Sequence, residues 1–185
     1  MQVLILHGSP RKGKHTEQAL KAFLKHSTYE EHHVFLYESR IEYCKGCLYC
    51  GKNGICFIDD DMNHLYKLFE EVDMVVFASP MYFNSVSSAA KTMIDRTQVY
   101  WSRKYEFATG ITIEKEKKGA FILTAGVKHD DQSVVAATKV AEIFFKAINC
   151  TYHEEIIIDN IDQDPLIEKD NRLLEISEKG RSFFI

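Results

Sequence analysis

Prolines are scarce. Three of them, with nine glycines in 185 residues, leave no Pro- or Gly-rich stretch that could serve as a flexible linker. No apolar run approaches the roughly 20 residues that a membrane-crossing helix needs. The opening MQVLILHG is too short an apolar segment, and too soon followed by Arg11 and Lys12, to act as a signal h-region. Neither end carries a lipidation motif, and there is no internal repeat or composition break. An excess of positive charge is also missing. The formal net charge is −4, which gives no reason to expect nucleic acid or an anionic membrane as partner. Five cysteines without an export signal point to thiols or a metal site rather than disulfides, so a cytoplasmic chain is expected. What is present is ordinary for a globular protein, 45% apolar and 27% charged, and suits a single domain over 1–185.

The apolar pattern switches repeatedly between two periods. Short continuous apolar runs at 3–6, 74–78 and 119–124 read as strands covered on both faces, with two further strands at 34–37 and 156–158. Between them, apolar residues at helical spacing predict helices beginning near Ala19 and Met62 and over about 86–95, 133–149 and 170–178. Strands alternating with helices predict an α/β three-layer sandwich, a parallel sheet with helices on both faces. Five strands with a phosphate-type turn after the first suit the flavodoxin-like order 2-1-3-4-5. Ligands of such sheets bind outside the carboxyl ends of the strands. The segments 7–16, 79–85 and 124–130 fall there, and the cysteine-bearing loop 38–60 leaves from the same rim.

HGSPRKGKHT, residues 7–16, comes within one residue of the nucleoside-triphosphate loop G-x-x-x-x-G-K-[ST]. His15 stands where the Mg²⁺-holding hydroxyl belongs, and the third strand ends Phe77-Ala78-Ser79-Pro80 with no acid to share the metal. A triphosphate site therefore lacks both of its metal contacts. A helix N-terminus with Ser9, Arg11 and Thr16 instead suits a terminal phosphate monoester without metal. Lys12, Lys14 and His15 read as a solvated basic rim, or as help for a second phosphate.

Cys44, Cys47, Cys50 and Cys56 follow a C-x₂-C-x₂-C-x₅-C spacing. Four thiolates this close can ligate a [4Fe–4S] cluster or close a tetrahedral zinc site. They can equally be reduced thiols on a loop that packs near the ligand or a subunit contact. Cys150, far along the chain, reads as a buried thiol.

H-G-S-P-R-x-x-x-x-T after the first strand and S-P-M-Y-F-N after the third resemble the flavodoxin-like NAD(P)H-dependent FMN reductases, and among them the iron–sulfur flavoprotein branch. The resemblance extends over residues 1 to about 160. It implies that Ser9, Arg11 and Thr16 hold the FMN phosphate. Pro80, Met81, Tyr82, Phe83 and Asn84 would line the isoalloxazine, and Thr124, Ala125 and Gly126 would form the third cofactor loop. It further implies an oxidoreductase that passes electrons from NAD(P)H through FMN to a small acceptor such as a quinone, a nitro or azo compound, or free flavin. The alternative is an electron carrier that relays electrons between a ferredoxin-like partner, the cluster and FMN. Homodimers or homotetramers are expected.

Other conspicuous residues read as structural. In Asp59-Asp60-Asp61 one carboxylate is expected to cap the following helix. The neighbours Asp95 and Arg96 suit a salt bridge. His32 and His33 are expected to open a strand, and His129-Asp130-Asp131 to start a solvated loop. The stretch 99–118, with Tyr100, Trp101, Tyr105 and Phe107, reads as a long interruption whose aromatics cover the flavin or meet a second subunit.

Overall fold

Val3, Leu4, Ile5 and Leu6 are fully buried, as a strand with neighbours on both edges and cover on both faces requires. They lie in β1 (Gln2–His7), which the chain leaves through the phosphate-type loop into α1 (His15–Leu24). The computed structural model describes residues 1–106, 113–167 and 170–185. In chain order there follow β2 (Glu30–Phe35), α2 (Tyr49–Asn53), α3 (Met62–Glu71), β3 (Met74–Pro80), α4 (Ser88–Arg96) and α5 (Gln98–Tyr105). Then come β4 (Lys117–Thr124), α6 (Asp131–Ala147), β5 (Cys150–Ile158) and α7 (Asn171–Phe184). The sheet is parallel throughout in the order β2-β1-β3-β4-β5, the flavodoxin-like arrangement. Among the described residues no helix is long and apolar enough to cross a membrane.

The two-residue period of the strands sorts the core into two halves. Leu4, Leu6, Phe77, Phe121 and Leu123 meet α3, α4, α5 and α6 through Phe69, Met93, Tyr100 and Phe144. Val3, Ile5, Val76, Ala120 and Ile122 meet α1 and α7 through Leu20, Phe23, Ile176 and Phe183. Each such side chain contributes about 1.5–3 kcal/mol when fully buried.

Both edge strands are longer than their apolar runs. β2 begins at Glu30 rather than at residue 34, so His32 and His33 sit inside it. β5 begins at Cys150 rather than at residue 156. One face of each edge strand meets water, and Glu30, Glu31, Glu154 and Glu155 occupy exposed or partly exposed places. Such charges also blunt an edge against pairing with another chain. Cys150 is buried at the start of β5, and burial pushes its thiol up to about 12.

α5 corrects the reading of 99–118 as an interruption. Residues 98–105 are helical, with Val99 and Tyr100 buried in the core and Trp101 and Tyr105 turned outward. Phe107 lies outside the described residues. The last helix also runs further than expected, because Phe183 and Phe184 pack on Phe23 at ring-centroid distances of 5.3 and 5.7 Å.

α7 crosses α1 at Gly180, where a Cβ would collide with the backbone carbonyl of Phe23. Gly180→Ala therefore has to separate two helices. It is expected to destabilise the chain by about 1–3 kcal/mol, read as a lower midpoint in chemical denaturation with an unchanged slope.

Candidate functional site

Three loops meet at the carboxyl edge of β1, β3 and β4. Gly8 N–H donates to the Ala78 carbonyl (2.7 Å), and Met81 N–H donates to the Thr124 carbonyl (2.7 Å). The Ser87 hydroxyl donates to the Gly8 carbonyl (2.6 Å) and accepts from Ala90 N–H, capping α4. Thr16 and Thr124 share a buried hydroxyl–hydroxyl bond of 2.6 Å. The segments 7–16, 79–85 and 124–130 thus form one connected rim, as the switch point of such a sheet predicts.

Ser9 and Arg11 sit on the first of these loops, where Arg11 N–H donates to Ser9 Oγ (3.2 Å). α1 starts at His15 with no side-chain cap, so its first-turn N–H groups face the loop without one. The Thr16 hydroxyl points inward to Thr124 rather than into the loop. Glu17 reaches back to accept from Gly13 N–H (2.6 Å), and the crevice between Ser9, Arg11, Thr16 and Glu17 holds about 10 Å³. Lys12 pairs with Glu38 on the exposed rim.

After Pro80 the chain turns sharply. Tyr82 and Ser85 exchange backbone hydrogen bonds of 2.9 and 3.0 Å around Phe83 and Asn84, whose φ values are 49° and 58°. Two consecutive positive φ values define a type I′ turn, which Gly and Asn adopt readily and Phe does not. Phe83 is fully exposed and Tyr82 is 40% exposed, so ordinary packing does not explain these aromatics. On the third loop Ala125 is buried, and the space a Cβ would need at Gly126 is taken by the Asp162 carboxylate.

His7 opens the 7–16 stretch, but the sequence alone assigns it no role. It ends β1 beside the first loop, stacked on Phe35 at 4.1 Å and hydrogen-bonded to His33 (2.9 Å), which in turn bonds Glu31 (2.9 Å). Burial first, and then His33, lower its pKa to about 4, so its ring is neutral at pH 7. Its two-residue spacing from Val3 and Ile5 was the available signal.

The cysteines lie elsewhere than the rim. Their loop leaves β2 at the carboxyl edge, but Cys44, Cys47, Cys50 and Cys56 line a largely apolar cavity of about 260 Å³ against the C-terminal end of α4 and against α5. Ser87 at one end of α4 touches the rim, and Arg96 at the other end lines this cavity. Nine residue steps put them about 13.5 Å apart along the helix axis. Among the described residues no three His, Cys, Asp or Glu side chains converge on one point as ligands of a single ion would.

Arg96 holds the cysteine loop in place. Only 2% exposed, it donates from Nη1 to the Glu42 carbonyl (2.8 Å), and from Nη1 and Nη2 to the two oxygens of Asp60 (2.6 and 3.1 Å). Nη2 also lies 3.5 Å from the Ile58 carbonyl. The expected salt bridge exists, but between Arg96 and Asp60. Asp95 points away and pairs with Lys91 (2.7 Å). Asp60 is thus the guanidinium partner and also accepts from Met62 N–H (3.0 Å), while Asp61, at the cap position, accepts from Arg40 N–H instead. Asp130, expected to start a solvated loop, instead caps α6, which begins at Asp131, by accepting from Ser133 N–H (2.8 Å). Burial opposes the Asp60 charge, but the Arg96 bonds and the N–H groups of Glu42 and Met62 outweigh it and hold its pKa below the ordinary value.

A parallel sheet in this order, with the first loop opening its first helix at the carboxyl edge, defines a flavodoxin-like fold. Residues 1–153 match the family model of the NADPH-dependent FMN reductases, and the chain belongs to that family, in its iron–sulfur flavoprotein branch. An iron-sulfur flavoprotein of Archaeoglobus fulgidus is 36% identical over 130 residues, 69% of this chain and 56% of the relative. One from Methanosarcina thermophila is 30% identical over 135 residues, 71% of this chain and 67% of the relative. The chain thus spans little more than half the length of the Archaeoglobus protein. Among solved structures, an FMN-dependent NADH-azoreductase from Bacillus anthracis in complex with FMN superposes with a TM-score of 0.75 at 15% identity, covering 100% of both chains. An NAD(P)H:quinone oxidoreductase from Methanothermobacter marburgensis gives 0.68 at 17% identity, covering 98% of this chain and 95% of that one. At such identities these two speak for the fold.

Asp60→Asn leaves a buried guanidinium short of its counter-charge and is expected to cost about 3–5 kcal/mol at neutral pH. The folded carboxyl ionises at lower pH than the unfolded one. The contribution is therefore complete above the unfolded value of about 4 and disappears as pH falls through the lower, folded value. Urea denaturation of both proteins from pH 7 downward should show the gap closing only below about pH 4. Phe83→Gly should act in the opposite direction, relieving backbone strain on the order of 1 kcal/mol and raising the midpoint.

Proposed function

We propose that the whole chain, 1–185, works as one domain that binds FMN on the three-loop rim and oxidises NAD(P)H, passing the electrons to a small acceptor. The observation that carries this reading is the joining of 7–16, 79–85 and 124–130 into one rim, in a chain of the FMN reductase family. FMN, when bound, supplies the hydride-accepting and electron-donating chemistry, and the protein supplies binding and orientation.

The residues fit that group. The uncapped N-terminus of α1, the Ser9 hydroxyl and the Arg11 fork match a dianionic phosphate monoester. Thr16 contributes through its first-turn N–H, its hydroxyl being committed to fixing Thr124. Pro80, Met81, Tyr82, Phe83 and Asn84 would line the ring, the buried Pro80 and Met81 through their backbone, and the I′ turn holds Phe83 outward where an aromatic face gains most by being covered. Thr124, Ala125 and Gly126 close the third side through their backbone. No side-chain acid or base is needed for hydride transfer. The outward apolar side chains of the cysteine region, Tyr43, Leu48, Phe57, Trp101 and Tyr105, suit contact with a second copy in a homodimer or homotetramer.

A second reading is favoured by the cysteine cavity. Cys44, Cys47, Cys50 and Cys56 all line one cavity of about 260 Å³. Four thiolates on one short loop are the donor set of a [4Fe–4S] group. The chain is then an electron carrier between a ferredoxin-like partner and FMN.

The test is an absorption spectrum of protein purified without oxygen, before and after NAD(P)H. Flavin bands that bleach, with steady NAD(P)H oxidation when a quinone is added, are expected. A colourless protein that also refuses added FMN would overturn the reading. Broad brown absorbance with no NAD(P)H oxidation, but reduction by ferredoxin, would replace the enzyme with the carrier.

A further inference from the structure

The Arg96 guanidinium carries five N–H donors. Its two terminal nitrogens meet Asp60 and the carbonyls of Glu42 and Ile58, two residues outside Cys44 and Cys56 respectively. Its Nε is equally buried, yet has no hydrogen-bond partner among the described residues. A buried donor without an acceptor is costly, and one belonging to a cation is the more so. Arg96 lines the cavity of the four cysteines, as does Ser102 on α5, which is 1% exposed. The Ser102 hydroxyl donates to Cys50 Sγ at 3.7 Å. Ser102 thus already meets one of the four sulfurs, and Arg96, from the preceding helix, lines the same cavity with one donor left without a partner among the described residues.

We propose that Arg96 and Ser102 are positioning residues for the metal group of this cavity, Arg96 donating its Nε–H and Ser102 its Oγ–H to the sulfurs of the cluster and its ligands. This rests on the reading of Cys44, Cys47, Cys50 and Cys56 as [4Fe–4S] ligands. The consequence is electrochemical. Adding an electron makes the sulfurs more negative, so hydrogen bonds to them stabilise the reduced form and raise the reduction potential. The clamp that shapes the loop is then the same group that sets how readily the loop's cluster accepts an electron. Asp60 orients the guanidinium by holding both terminal nitrogens, so that Nε is the donor left over.

The experiment is anaerobic reconstitution of the full chain with iron and sulfide, followed by redox titration monitored by electron paramagnetic resonance. Ser102→Ala, a small change, is expected to hold the same iron and sulfide as the unmutated protein and to titrate at lower potential. Arg96→Lys keeps the charge but removes Nε–H. It is expected to shift the reduced-to-oxidised ratio about tenfold toward the oxidised form, which is about 59 mV for one electron. Should Arg96→Lys not fold, electron spin-echo modulation on protein labelled with ¹⁵N-arginine reads the same contact. A nitrogen coupling that survives Arg103→Lys is expected. Full iron and sulfide with unchanged potentials in the folded variants, or no arginine coupling, would overturn this inference and leave the cluster reading intact. No iron or sulfide after reconstitution would overturn the cluster reading itself, and this inference with it.

Discussion

A parallel sheet must be covered on both faces, and that requirement dictates where everything else in this molecule can go. β1, β3 and β4 carry almost nothing but buried apolar residues, so they cannot offer chemistry along their length. Each must hand the chain to a helix on one face or the other, and the handover happens at the carboxyl edge. Three handovers lie side by side there because β1, β3 and β4 are neighbours in the sheet. Gly8, Met81 and Thr124 turn that proximity into a fixed geometry, each using a backbone group that the ladder no longer needs. The rim is as rigid as the sheet because it is hydrogen-bonded to it.

The cysteine loop obeys a different logic. It has little apolar content to bury and no strand partner, so its shape comes from charge. Arg96 and Asp60 sit deep enough that neither tolerates the other's absence, and the guanidinium reaches a carbonyl on each flank of the four cysteines. Arg103 adds a second tie, donating from Nε to the Gly54 carbonyl at 2.6 Å. Two arginines on consecutive helices thereby hold a segment that hydrophobic packing alone would leave loose. Burying such a pair is seldom the most stabilising use of interior space. Its presence makes sense where a loop must keep one conformation around a polar or charged occupant.

How far the sequence announced this depends on the kind of force involved. The central strands were legible because burial on both faces leaves continuous runs such as Val75-Val76-Phe77-Ala78. The edge strands were only half legible, since Glu30 to His33 and Thr151 to Glu155 are the residues that water permits there. The helix carrying Tyr100 and Trp101 was hidden because aromatics at its start suggested a loop. For the site, the meeting of 7–16, 79–85 and 124–130 at the carboxyl edge could be read from the strand pattern, whereas the turn at Phe83 and Asn84 could not. The partner of Arg96 could not. Asp60 is 36 positions away, and adjacency favoured Asp95. Long-range pairing of charges leaves no periodic trace in a chain, which is also why His7 and Ser102 went unnoticed.

α4 deserves to be seen as an electrical object as well as a spacer. Its peptide dipoles add up to partial positive charge at the Ser87 end, beside the rim, and partial negative charge at the Arg96 end, beside the cysteines. Negative charge is accordingly favoured at the rim and disfavoured at the cavity, by about 0.3–1 kcal/mol at each end. Arg96 stands where a cation best complements the negative terminus. Along about 13.5 Å of axis the helix thus separates a positive end at the rim from a negative end that the Arg96 cation offsets.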